Sequence, residues 1–193
     1  PEYFLLFTRQ NDIRWLCLNC SKETNVDAVL NIHDVHMAIS LDWDWSTLSI
    51  FWSDATKDTI NRANLDGTEQ SIIASEPLES PSGIAVDWIG QNIYWIDSGR
   101  NLIEVSRFDG SYRSVLVWSN LIRPGDLVVD SSTALMFWTR QEDSLSRIER
   151  AGMDGTERKI IYFQNMTWLH GLALDLTEKR LYWCSSGSKK IEY

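Results

Sequence analysis

The sequence predicts an all-β propeller, in which small antiparallel sheets fan around a central channel. Three observations predict it. An aromatic pair recurs at Phe51-Trp52, Tyr94-Trp95, Phe137-Trp138 and Tyr182-Trp183, with steps of 43, 43 and 45 residues. An Asp-Gly-Thr/Ser triplet keeps step with it, at Asp66-Gly67-Thr68, Asp109-Gly110-Ser111 and Asp154-Gly155-Thr156. An Asp precedes the later pairs by seven residues, at Asp87, Asp130 and Asp175. A period of about 40–50 residues holding four strand-like runs is the mark of propeller blades.

Each period reads as four strands. In the cleanest copy Ile84-Ala85-Val86 is a short apolar strand and Ile93-Tyr94-Trp95-Ile96 is the second. Leu102 to Phe108 is the third, and Ser114 to Trp118 the fourth. Asp109-Gly110 joins the last two as a hairpin turn, because glycine accepts positive φ without a Cβ clash. The small first strands, such as Ala38-Ile39-Ser40-Leu41 and Leu127-Val128-Val129, suit the crowded hub. Ile60, Ile103 and Ile191 each follow their aromatic by nine residues, and Ile148 follows by eleven. In the first clear copy we assign the Asp slot to Asp42, nine before Phe51, which implies a loop longer by two. A worn copy opens the chain: Phe4-Leu5-Leu6-Phe7 takes the aromatic slot, Ile13 follows, and Asn19-Cys20-Ser21 takes the turn. The domain is one propeller over 1–193, with repeats roughly 1–34, 35–78, 79–122, 123–167 and 168–193. No stretch keeps a 3.6-residue period, so no helix beyond a single turn is expected.

Bulk properties exclude several classes. A net charge of −9 argues against a nucleic-acid partner, which needs a basic face. No apolar run reaches the roughly 20 residues of a membrane span. Cys17-x-x-Cys20 has no second pair of ligands at zinc-finger spacing, and Cys184 stands alone, so a local disulfide or free thiols is the simpler reading. No nucleophile elbow, phosphate loop or HExxH is present, so no enzyme, cofactor or metal site is expected. Asp87, Asp130 and Asp175 are expected to end the first strand and bond backbone donors. Asp54 and Asp97, after the aromatic pairs, are expected to bond neighbouring loops or blades; Arg140 and Ser185 replace them in two copies.

These repeats resemble the six-bladed YWTD β-propellers of the low-density-lipoprotein-receptor family. Arg100 to Ser106, Ser114 to Trp118 and Arg147 to Gly155 carry the likeness most strongly, and it points to the Wnt co-receptor branch, with the agrin-receptor branch close behind. The stretch Asp42-Trp43-Asp44-Trp45 also resembles that branch. Six such blades need roughly 260 residues. The expectation is therefore an incomplete propeller, about four full blades plus partial terminal ones.

The resemblance implies a binding module on a single-pass cell-surface receptor. Its partners would be secreted proteins, Wnt proteins or peptide-bearing antagonists, in signalling or endocytosis. The membrane is met only through a segment outside this chain. Loops leading into the first strand and out of the second should share one face, placing Gln10, His36, Asp58, Glu79, Ser82, Asp126, Gln141, Trp168 and His170 there. Trp168 matches a ligand-facing Trp of that branch. His36, Gly99 and His170 depart from its pattern, so its peptide specificity does not carry over. Asn19 and Asn165 head glycosylation triplets, in keeping with an extracellular protein. Two other readings share the fold: a matrix scaffold of nidogen type and a metal-dependent lactonase. The latter is disfavoured because the hub strands, so read, offer Ala, Val, Leu and Ser rather than metal ligands.

Overall fold

The computed structural model describes residues 3–9, 11–18, 27–165 and 168–193. Its described residues form five antiparallel sheets and no helix. The first sheet holds β1 (Phe4–Arg9), β2 (Asp12–Cys17) and β3 (Asp27–Val29). The second runs β4 (Ala38–Asp44), β5 (Ser49–Asp54), β6 (Thr59–Asn64) and β7 (Ser71–Ala74). The third runs β8 (Pro81–Asp87), β9 (Asn92–Asp97), β10 (Leu102–Arg107) and β11 (Ser114–Val117). The fourth runs β12 (Pro124–Asp130), β13 (Leu135–Glu142), β14 (Leu145–Gly152) and β15 (Lys159–Asn165). The fifth holds β16 (Leu169–Asp175), β17 (Arg180–Ser185) and β18 (Lys190–Glu192).

Three sheets are thus complete four-stranded blades and two have three strands, where about four full blades were expected. The first sheet begins at the aromatic-slot strand β1, so it supplies strands two to four. The fifth supplies strands one to three. β4, β8, β12 and β16 are the hub strands, packed in series around a shared cavity.

The aromatic pair explains how blades stack. Neighbouring residues on a strand point to opposite faces. Phe51 therefore packs forward against the third blade, beside Trp95, while Trp52 packs back toward the first sheet with Ile13 and Leu30. Tyr94 likewise meets Trp138, and Phe137 meets Trp183. Every blade interface holds one Trp from the later blade and, from the second blade onward, a Phe or Tyr from the earlier one. Trp52, Trp95 and Trp138 are among the most deeply buried side chains.

The Asp-Gly turns lock the same interfaces. Gly67, Gly110 and Gly155 have φ of +86°, +83° and +84°. A Cβ there would lie 2.1 Å from Asn31 O, 2.4 Å from Ile73 O and 2.6 Å from Leu116 O. Each turn is pressed against backbone belonging to the preceding blade, so glycine serves both its conformation and its closeness.

One assignment from the sequence is corrected. Asp44, not Asp42, ends the first clear hub strand, seven residues before Phe51. Asp44 Oδ2 accepts from Ser46 Oγ and Thr47 Oγ1, both at 2.7 Å, as Asp130 accepts from Ser132 and Thr133. No extra loop is needed, and Asp42 is released to face the hub. The other strand-ending carboxylates behave as expected: Asp87 accepts from Gly90 N, and Asp175 from Thr177 N and Glu178 N. Cys17 is disulfide-bonded, and Cys184 is a free, exposed thiol. Cys20 and Asn19 lie outside the described residues.

Candidate functional site: the loop face and the hub

The loops leading into the hub strands and the hairpins after the aromatic pairs gather on one face. Within blades, Ala55 N donates to Met37 O, Gly99 N to Glu79 O, Gln141 N to Arg123 O and Ser186 N to Trp168 O. Between blades, Ser80 N donates to Asp58 Oδ1 at 2.6 Å, Arg123 N to Asn101 Oδ1 at 3.1 Å, and Ser82 Oγ to Gly125 O at 3.0 Å. The aspartates after the aromatic pairs organise this face from beneath. Asp54 accepts from the backbone N–H groups of His36, Met37, Thr56 and Lys57. Asp97 accepts from Glu79 N and Arg100 N. Burial raises the Asp97 carboxyl above its usual range, against these bonds.

The nine residues assigned to this face do not all serve it alike. His36, Glu79, Trp168 and His170 are exposed. Trp168 is 53% exposed, and its ring lies parallel to that of His170, centroids 6.3 Å apart. The His36 ring meets Asp34, which also pairs with Lys57. Asp58 and Ser82 instead brace neighbouring loops. Gln141 is corrected: it is buried, donating to Asp143 O and accepting from Ser146 Oγ, so it is spent inside its own hairpin. Gln10 lies outside the described residues. Asn165 is exposed at the end of β15.

Asp126 points into the hub, and Asp42 joins it. They line a cavity of about 380 Å³ whose other walls are mostly apolar, including Leu41, Ile84, Val86 and Leu172. The expectation of a hub without carboxylates is therefore corrected. Each hub strand is a sheet edge with backbone N–H groups facing inward, and buried donors need partners. Ser40 Oγ accepts from Ile84 N, Asp42 Oδ2 from Val86 N at 2.8 Å, and Asp126 Oδ2 from Leu172 N at 2.6 Å. Side chains of one blade thus cap the next. Burial pushes the Asp42 carboxyl up to about 6, helped by the Asp126 charge and opposed by the Val86 and Trp43 donors. Burial also raises Asp126.

A carboxyl raised in the folded state holds more protons there than in the unfolded chain. Its contribution is unfavourable above the folded pKa and is relieved as pH falls from about 6 toward 4. Asp42→Asn keeps an acceptor for Val86 N and removes the charge. We expect the variant to be more stable than wild type at pH 7.5, by about 1–3 kcal/mol at ~1.4 kcal/mol per pKa unit. The gap should shrink to about a third of that by pH 4.5. Urea melts at both pH values check this; a gap that widens on acidification contradicts it.

Sequence reading missed a second device, a Trp–Glu–Arg clamp between blades. Trp95 Nε1 donates to Glu104 Oε2 at 3.1 Å, and Arg113 pairs with the same carboxylate at 2.8 Å. Arg113 also donates to Ser75 O and Pro77 O of the preceding linker. In the fourth blade Glu149 pairs with Arg158, which reaches Ser119 O and Asn120 O. In the second, Gln70 does the arginine's work, exchanging two hydrogen bonds with the His33 backbone. The signal was present: Gln70, Arg113 and Arg158 sit at one repeat position, as do Glu104, Glu149 and Glu192.

Blades carrying an aromatic pair, an Asp-Gly turn and a loop-organising Asp define a β-propeller of the YWTD type. The chain belongs to the family described as low-density lipoprotein receptor repeat class B, which matches residues 49–88 and 91–131. It is 37% identical to the human low-density lipoprotein receptor-related protein 5 over its whole length, and 45% identical to the human low-density lipoprotein receptor-related protein 4 over 85 residues, 44% of the chain. It spans only 12% and 4% of those relatives' lengths. Among solved structures, a chain of the nidogen/laminin complex superposes with a TM-score of 0.88 at 32% identity, covering 96% of this chain and 71% of that one. A gluconolactonase from Xanthomonas campestris superposes at 0.71 with 20% identity, over 87% of this chain and 61% of that one, a likeness of fold alone.

Proposed function

We propose that this chain is the extracellular ligand-binding propeller of a low-density-lipoprotein-receptor-related surface receptor, and that its loop face grips secreted proteins. Wnt proteins or their peptide-bearing antagonists are the partners this reading favours, in signalling or in endocytosis. The ring it belongs to has six blades, and the membrane span lies elsewhere in the protein. Its role in this reading is binding rather than catalysis. Asn165, and Asn19 outside the described residues, are its glycosylation sites.

The observation that carries the reading is the exposed Trp168 stacked on His170. A large exposed aromatic beside polar and acidic loops is the composition of a protein-binding hot spot. Trp168→Ala should weaken binding about ten-fold or more while leaving the melting temperature within a few degrees. Surface plasmon resonance against a panel of secreted Wnt proteins and antagonists checks this. Failure of the whole panel to bind, or equal binding by the variant, sinks it.

A matrix scaffold is the second reading, favoured by the nidogen/laminin superposition. Including laminin in the same panel separates the two: binding to laminin alone selects the scaffold.

A further inference from the structure

The fourth blade departs from the others in three linked ways. Its central hairpin is longer: β13 and β14 have eight residues each, where β9 and β10 have six. Arg140 stands where Asp54 and Asp97 stand in earlier blades, and only 6% of its side chain is exposed. Its guanidinium bonds Glu149 Oε1 at 3.0 Å, Glu142 Oε2 at 2.7 Å and the Asn120 carbonyl. Glu149 is thereby drawn to Arg140 and Arg158, and Trp138 Nε1 is left buried without a partner, as is Arg140 Nε. The equivalent indoles of Trp95 and Trp183 both have theirs. An unmet buried donor costs about 1–3 kcal/mol. Local rules are broken in this way where a site is served.

Beside them lies a groove of about 640 Å³ between the linker at Asn120 and Ile122 and the outer half of the fourth blade. Arg140, Arg147, Arg158 and Lys159 line it against two carboxylates, Glu142 and Glu149. The local balance is positive on a chain whose net charge is −9. At physiological salt the Debye length is about 8 Å, so a ligand in the groove feels these six groups more than the distant acids. Lys159, Ile122 and Ile160 are exposed, and Arg147 is partly so. Arg140 and Arg158 are committed to linker carbonyls and to Glu149, and Arg147 pairs with Glu142 through one nitrogen at 3.1 Å, which leaves Lys159 and the remaining Arg147 N–H groups to meet a ligand.

We propose that this groove binds a short acidic segment of a protein partner. A carboxylate would sit against Arg147 and Lys159, with a neighbouring apolar side chain on Ile122 and Ile160. The small local excess of charge fits a peptide with one or two carboxylates. A long sulfated glycan would run off it onto acidic surface. The groove shares no residue with the Trp168–His170 pair, so either site can fail without the other.

The test is a random heptapeptide library displayed on phage, selected in parallel on the 193-residue chain and on its Arg147→Glu/Lys159→Glu variant. Peptides enriched on wild type alone should carry Asp or Glu beside Leu, Ile or Phe. A fluorescein-labelled copy of the best should lose at least about ten-fold in affinity for the variant, as expected for reversed interface charge. A wild-type-only set that is empty or not enriched in acids overturns the proposal, as does unchanged affinity. A heparin hexasaccharide that binds wild type more tightly than any peptide, and is lost in the variant, reassigns the groove to sulfated glycans and overturns it too. If the double variant melts early, Lys159→Glu alone gives the same reading, because that side chain makes no ion pair among the described residues.

Discussion

Trp95→Ala should lower the unfolding free energy by about 3–5 kcal/mol, the range for truncating a buried Trp. The indole is fully buried between the second and third blades, among Phe51, Ile60, Ile84 and Phe108. Removing it opens a hole at a blade interface that the rigid strands on either side cannot close. It also strips Glu104 of a donor and leaves the Arg113 guanidinium, 5.4 Å above the ring centroid, facing a void. Urea melts read the effect as a lower midpoint at unchanged slope. A loss under about 1 kcal/mol would mean the aromatic pair is not what joins the blades.

Glu104→Ala should cost about 3 kcal/mol, at the lower end for breaking a buried ion pair because Arg113 stays one-fifth exposed. The change leaves the indole N–H of Trp95 without its acceptor and Arg113 without its anion. Its hold on the preceding linker through Ser75 O and Pro77 O then loosens. Removing Arg113 as well should restore part of the loss, since no charge is then stranded; a double-mutant cycle measures that coupling. Purely additive effects of Glu104→Ala and Arg113→Ala would show that the clamp does not act as a unit.

Much of this architecture was legible from spacing. The aromatic pair, the Asp-Gly turn and the strand-ending Asp each have one local physical job, so each repeats wherever that job does. What failed has physical causes. Asp42 and Asp44 are two residues apart on one strand, so both point to the same side, and alternation alone cannot separate them. Turn chemistry does, because Ser46 and Thr47 follow Asp44 as Ser132 and Thr133 follow Asp130. The eleven-residue spacing to Ile148 was visible, but its meaning as a lengthened hairpin appeared only with the strand pairing. The Glu–Arg clamp pairs residues nine apart in one blade directly and ties them to carbonyls of the preceding linker, and that second contact is one no single-repeat pattern displays. On the loop face, Gln141 was placed by register alone. Register fixes the backbone position but not whether a side chain turns inward to meet Ser146.

The claim everything else serves is that partners meet the loop face, while the outer strands and Asp-Gly turns hold blades together. Hydrogen–deuterium exchange on the chain, free and with a bound secreted partner, tests it most directly. New protection should fall on residues 35–37, 79–82, 123–126 and 168–170. Protection confined to the Asp-Gly turns or the outer strands β7 and β11, with those loops unchanged, would contradict it.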